Sequence, residues 1–244
     1  MLFQHLHPAS CTGRLAILAL LAAGLAGCQG VTGIQPVAQV RVIDASPDAP
    51  PLDIYQNSQA GLYNVGFGTV SSYIPIASGD YTHTAYTAGT QQQLAAVRRA
   101  FAAGGQYTVL TGNIAANLQM TVLKDQPYAA PTGQVALRFL GQATRSGAVD
   151  LYLLPPGFSL AGAAPIATGI NFGANTGYIN APSGTYTIVA FPSGIAPRAG
   201  SPTFTGNWVS YPGGSVRTIV LIDEPPSPGL QVITADDFDS PSAS

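Results

Sequence analysis

The sequence predicts an all-β protein: two tandem antiparallel, immunoglobulin-like β-sandwiches after a lipoprotein signal peptide. Three observations predict it. Short segments alternate apolar and polar side chains with period two. Turn residues recur near every ten positions, the cadence of a sandwich or barrel. The second half of the chain repeats the first. Composition agrees: hydrophobic residues make up 46% of the 244, enough for a core, while Gly 28 and Pro 20 supply the turns. Nine basic against eleven acidic residues leave a net charge of −2. That balance offers no cationic surface for counterion release from nucleic acid, so no nucleic-acid partner is expected.

The N-terminal stretch, residues 1–27, reads as a signal peptide. A leader with one fixed positive charge, Arg14, precedes the apolar run Leu15-Ala16-Ile17-Leu18-Ala19-Leu20-Leu21-Ala22-Ala23-Gly24. The run is shorter than the roughly 20 residues a spanning helix needs. It ends in Leu25-Ala26-Gly27-Cys28, which looks like a bacterial lipobox. Small residues at Ala26 and Gly27 let a peptidase reach the backbone, and the Cys28 thiol accepts the lipid. Several acyl chains on one residue anchor stably where one is marginal. The membrane is thus the first expected partner, through the lipid on Cys28. The only other cysteine is Cys11, inside the leader. The mature chain therefore carries no free thiol and no disulfide. Residues 28–37 lack charge and read as a lipidated tether. The expected location is a bacterial cell envelope, outside the cytoplasm, with Gln29 compatible with outer-membrane sorting.

The repeat sets the domain boundaries. Val40-Arg41-Val42-Ile43 and Leu52-Asp53-Ile54-Tyr55 recur as Leu137-Arg138-Phe139-Leu140 and Val149-Asp150-Leu151-Tyr152, a shift of 97 residues. Phe67-Gly68, Tyr73 and Gly79-Asp80-Tyr81-Thr82 recur as Phe172-Gly173, Tyr178 and Gly184-Thr185-Tyr186-Thr187, a shift of 105. Thr108-Val109-Leu110 matches Thr218-Ile219-Val220, and Leu118-Gln119 matches Leu230-Gln231. Steady shifts with small insertions in loops are what a duplicated domain leaves. The first sandwich is expected over 38–124 and the second over 134–239, each about 100 residues and of usual domain size. Residues 125–133, with Pro127 and Pro131, are the linker, and 240–244 the tail. Roughly seven strands are expected per sandwich. The stretch 91–102 fits a helix or a strand.

Arg41-Val42-Ile43-Asp44-Ala45-Ser46-Pro47-Asp48-Ala49-Pro50, Leu52-Asp53-Ile54-Tyr55, Phe67-Gly68-Thr69-Val70-Ser71-Ser72-Tyr73 and Ser78-Gly79-Asp80-Tyr81 resemble the bacterial domain of unknown function 4397. Members usually read VRVVHASPDAP, then VDVY. Asp44 stands here where many carry His, so no role of that His carries over. The second copy has Gly141-Gln142-Ala143-Thr144-Arg145-Ser146-Gly147 in place of the Ser-Pro-Asp-Ala-Pro loop and is degenerate. The resemblance implies an extracytoplasmic, often lipidated, immunoglobulin-like sandwich. It implies no activity, because the family has none assigned.

Few residues are suited to chemistry. Arg41 and Asp53 fall on the polar face of neighbouring strands, and a hairpin across the 47–51 loop would pair them. Arg138 and Asp150 repeat the arrangement. These read as structural ion pairs, each contributing ~0.2–1 kcal/mol if exposed, with ligand binding as the alternative. Asp44, Asp48 and Asp53 offer oxygens, but their spacing is no calcium loop. Asp236, Asp237 and Asp239 read as solvated tail charge. His83 is the only mature histidine, whereas zinc needs three or four ligands, so no metal or other cofactor is expected. Lys124 is the only Lys and Glu224 the only Glu, which leaves Schiff-base and paired-glutamate mechanisms without candidates. Gly66-Phe67-Gly68 is no phosphate loop. Tyr55, Tyr63, Phe67, Tyr73, Tyr81, Tyr86 and Trp208 read as framework, or as the lining of a sugar or peptide groove.

The expected function is a membrane-anchored, non-enzymatic lipoprotein with a structural or interaction role in the envelope. One alternative is a carbohydrate- or peptide-binding module, which would make a glycan or an envelope protein its partner. The other is an enzyme of unfamiliar design.

Overall fold

The computed structural model describes residues 37–197, 202–226 and 229–238. The stretch read as a signal peptide, Cys28 and Asp239 lie outside them. Pro36–Ser244 is a single compact unit.

The first half contains eight strands: β1 (Val37–Asp44), β2 (Leu52–Gln56), β3 (Gln59–Val65), β4 (Ile74–Ala77), β5 (Gly79–Thr87), β6 (Gln93–Phe101), β7 (Gln106–Gly112) and β8 (Gln119–Asp125). The second contains β9 (Gln134–Gly141), β10 (Val149–Leu154), β11 (Ala167–Ile170), β12 (Asn175–Pro182), β13 (Gly184–Pro192), β14 (Phe204–Thr205), β15 (Val209–Tyr211), β16 (Val216–Glu224) and β17 (Gly229–Phe238). The only helical turn among the described residues is a 3-10 turn at Ala115–Asn117. None of their helices is long and apolar enough to cross a membrane. The ambiguous 91–102 stretch is strand β6, paired antiparallel with β5 along its length.

Each half is a pair of sheets facing each other. In the first, β4-β1-β7-β8 packs on β3-β2-β5-β6; in the second, β12-β9-β16-β17 packs on β11-β10-β13-β14, with β15 also on β13. Most pairs are antiparallel. One pair in each half is parallel, β1 with β7 and β9 with β16. Several strands intervene within each such pair, which supplies the long crossover that parallel pairing requires.

Period two in β1 places Val40 and Val42 against Leu52, Ile54, Ala85 and Phe101 of the facing sheet. Leu137 and Phe139 of β9 do the same against Leu151, Ile188 and Ala190. Each fully buried aliphatic side chain contributes about 1.5–3 kcal/mol. The opposite faces of β1 and β9 are buried too. Ile43 and Leu110 from one half pack with Leu140, Val220, Ile222 and Ala235 from the other. The sheets containing β1 and β9 therefore face each other, and the body has four layers. This explains why both central strands are largely apolar, with an arginine, Arg41 or Arg138, set between hydrophobic neighbours.

Candidate functional site

The central layer holds the most concentrated chemistry in the described residues. Arg41 on β1 is 2% exposed and Arg138 on β9 also 2%. Burying an ion costs several kcal/mol unless it is paired and hydrogen-bonded, and both guanidiniums are. Arg41 ion-pairs with Asp237 on β17, donates from Nε to Thr108 Oγ1 at 2.8 Å, and donates to the Asp236 carbonyl at 3.0 Å. Arg138 ion-pairs with Asp125 at 2.5 Å, donates from Nε to Thr218 Oγ1 at 3.0 Å, and donates to the Lys124 carbonyl at 3.1 Å. Each carboxylate is completed by two hydroxyls. Asp125 accepts from Thr108 at 2.6 Å and Tyr73 at 2.7 Å; Asp237 accepts from Thr218 at 2.6 Å and Tyr178 at 2.7 Å. The guanidinium of Arg41 lies 4.8 Å from the Tyr73 ring centre, and that of Arg138 4.8 Å from the Tyr178 ring centre.

The pairing is crossed. Arg41 of the first half reaches the second half's aspartate, and Arg138 of the second reaches the first half's. Eight side chains, two positive and two negative, form one neutral unit between the sheets. Burial pushes the Tyr73 and Tyr178 phenols up, and the adjacent carboxylates, Asp125 and Asp237 respectively, push them further. For Arg138, burial opposes the charge, but Asp125, Tyr178 and Asp237 together outweigh it and raise the group above its ordinary value. Burial raises the Asp237 carboxyl, with Arg41 acting against it.

The ion pairs expected from sequence are not formed. Asp53 does not meet Arg41, and Asp150 does not meet Arg138. The expected hairpin across Pro47, Pro50 and Pro51 is instead a crossing between sheets: β1 joins β4 and β7, while β2 joins β3 and β5. Asp53 accepts from the amides of Asn64 and Gly89, both at 2.9 Å. Asp150 accepts from the amides of Gly169 at 2.8 Å and Gly194 at 3.0 Å, and from the Ser193 hydroxyl at 2.8 Å. Gly169 (φ 65°) and Gly194 (φ 76°) sit in the left-handed region, which turns their amides onto the carboxylate. Desolvation works against the Asp150 charge, but those amides and the hydroxyl outweigh it and hold the carboxyl below its ordinary value. Both aspartates staple loops.

Asp237, read as solvated tail charge, is instead 3% exposed in the network. Its neighbour Asp236 is mostly exposed and pairs with Arg217 Nε at 2.7 Å. Asp125, read as the first linker residue, closes β8. The sequence carried a signal for both: they are related by the same 112-residue shift as Leu118 and Leu230, but boundary placement hid it.

The other candidates scatter. Asp44 accepts from the Ser46 amide at 3.1 Å and the Thr111 hydroxyl at 2.8 Å, and burial raises its carboxyl. Asp48 accepts from the Ala115 amide at 2.8 Å. Among the described residues no group of three or more His, Cys, Asp or Glu converges to hold a metal. His83 is 3% exposed on β5, edge-on to Phe101 at 5.2 Å between ring centres. Burial alone lowers its pKa to about 4, so the ring is neutral at pH 7. Tyr55 and Tyr86 contact edge to face, as do Tyr81 and Phe101, and Phe67 packs into the central layer. Tyr63 and Trp208 are exposed, at 68% and 55%. Trp208 lies between β14 and β15, and its neighbours Asn207 and Val209 line a hollow with Gln231 and Thr234.

Among solved structures, the chain is similar to CBMbc (family CBM26) from Eubacterium rectale Amy13K in complex with maltoheptaose. Identity is 13%, coverage is 84% of this chain and 98% of that one, and the TM-score is 0.23. It is also similar to a leucine-rich repeat protein from Bacteroides thetaiotaomicron, at 12% identity over 75% of this chain and 25% of that one, with a TM-score of 0.19. No curated protein matches the sequence. Residues 38–152, which run from β1 into β10 and include the motifs from Arg41 to Tyr81, match the model of the family described as Domain of unknown function (DUF4397).

Proposed function

We propose that the chain is a bacterial lipoprotein, tethered outside the cytoplasm through Cys28, whose body is a non-catalytic structural or interaction module of the DUF4397 kind, built from two copies of one sandwich. The observation that carries the reading is the order of segments: a positively charged leader, a ten-residue apolar run, Leu25-Ala26-Gly27-Cys28, and an uncharged stretch directly before β1. The matched pairs Arg41/Arg138, Thr108/Thr218 and Asp125/Asp237 on corresponding strands, with Tyr73 just before β4 matching Tyr178 in β12, support the duplication. The non-catalytic reading is supported by the buried charges of the central layer, which are saturated by one another. Globomycin treatment is expected to retain a slower-migrating precursor, and Cys28→Ala is expected to release the protein from the membrane fraction. Unchanged mobility and unchanged fractionation would count against the anchor.

A second reading is favoured by Trp208, whose exposed ring beside the Asn207, Gln231 and Thr234 hollow suits stacking on a sugar with polar groups at its rim. In that case the chain is retarded in affinity gels containing at least one neutral polysaccharide, and Trp208→Ala abolishes the retardation. Unaltered migration across a broad glycan panel removes this reading.

A further inference from the structure

We propose that the first sandwich binds a small apolar ligand bearing a hydroxyl group, of which phenol is the compact example, in a cavity anchored by His83. The cavity has a volume of about 80 Å³ and opens between the edges of the two facing sheets. Val42 of β1, Ile54 of β2, Leu62 of β3, Ile74 and Ile76 of β4, and His83 of β5 line it. It continues outward into a wider hollow that shares Gln56, Gly61 and Ile76 and is bordered by Tyr81. A dry apolar cavity of roughly 150 Å³ accepts benzene. One about half that size takes part of a ring and leaves the rest in the mouth.

Two independent observations point to a ligand. The first is the Nδ1 atom of His83, which is buried and has no hydrogen-bond partner. An unsatisfied buried polar atom costs about 1–3 kcal/mol, a cost that a ligand hydroxyl would remove. A hydroxyl both donates and accepts, so it suits either tautomer of a neutral imidazole.

The second is the comparison of the halves. Val42 lies opposite Val109 on β7; at the equivalent place Phe139 lies opposite Ile219 on β16. Gln56 faces His83 across β2 and β5; there Leu153 faces Ile188 across β10 and β13. Phe139 and Ile188 are 0% and 6% exposed in the second core. The first sandwich thus carries a smaller residue and two polar ones where the second is filled by hydrocarbon.

The test is a titration of the full chain with phenol and with benzene, followed by NMR of the His83 ring and the Val42 and Leu62 methyls. The expected result is saturable shifts at millimolar phenol, with benzene at least ten-fold weaker. Val42→Phe, which imports the second sandwich's filling, should abolish the phenol response. Should that variant not fold, His83→Ile is expected to bind phenol and benzene equally. Shifts that grow without saturation, equal binding of phenol and benzene by the unaltered chain, or a response that persists in Val42→Phe would overturn the proposal.

Discussion

Arg41→Ala is expected to lower the free energy of unfolding by about 3–5 kcal/mol, the usual cost of stranding the partner of a buried ion pair. The variant leaves Asp237 among apolar strands with the Thr218 and Tyr178 hydroxyls both on Oδ2 and removes the Arg41 donor from Oδ1. It also frees Thr108 and the Asp236 carbonyl of their donor. Because the pairing is crossed, damage to a first-half residue should loosen the second half. Urea unfolding followed by far-UV circular dichroism is therefore expected to show one transition for the unaltered chain and a lower midpoint for Arg41→Ala. The joint variant Arg41→Met with Asp237→Leu should recover most of the loss, since replacing both partners by hydrocarbon is often neutral or better. A loss under 1 kcal/mol for the single variant would show that the network contributes no more than an exposed surface pair.

Acidification from pH 7 to pH 5 is expected to cost about 2 kcal/mol through His83 alone. Its pKa is lowered by burial from 6.5 to about 4. Below pH 6.5 the unfolded chain takes up a proton that the folded chain refuses until about pH 4. The unfolded state binds more protons in that window, so stability falls as pH falls. The contribution is complete above pH 6.5 and lost progressively below it. At pH 5 the gap is about one and a half pKa units, each about 1.36 kcal/mol. The measurement is the difference in unfolding free energy between the chain and His83→Phe at both pH values. That difference isolates His83 from Asp44 and Asp237, whose raised carboxyls act in the opposite sense. A pH-independent difference would mean that the ring is solvated.

The strands were legible because their signals are local. Val40, Val42, Leu52 and Ile54 alternate whatever surrounds them, and Gly or Pro punctuates most connections. The repeat was legible for the same reason: it compares side chains with side chains and needs no geometry. Arg41, Arg138, Tyr73 and Tyr178 were therefore visible as matched positions.

Their partners were not legible. Pairing Arg41 with Asp53 assumed that strands adjacent in the chain lie adjacent in a sheet, whereas β2 belongs to the facing sheet. Asp125 and Asp237 looked like a linker and a tail because each follows the last hydrophobic run of its half. A carboxylate at the end of a strand is solvated or buried according to what lies across from it, and here a second sheet does.

From residue order alone come the all-β class, the alternation of faces and the doubling of motifs, all set by short-range sterics and side-chain periodicity. The meeting of the two central sheets, the crossed clasp between them and the orphaned imidazole of His83 arise only on folding. Desolvation and ion pairing depend on distances between residues up to 196 positions apart, and local pattern carries no information about those distances.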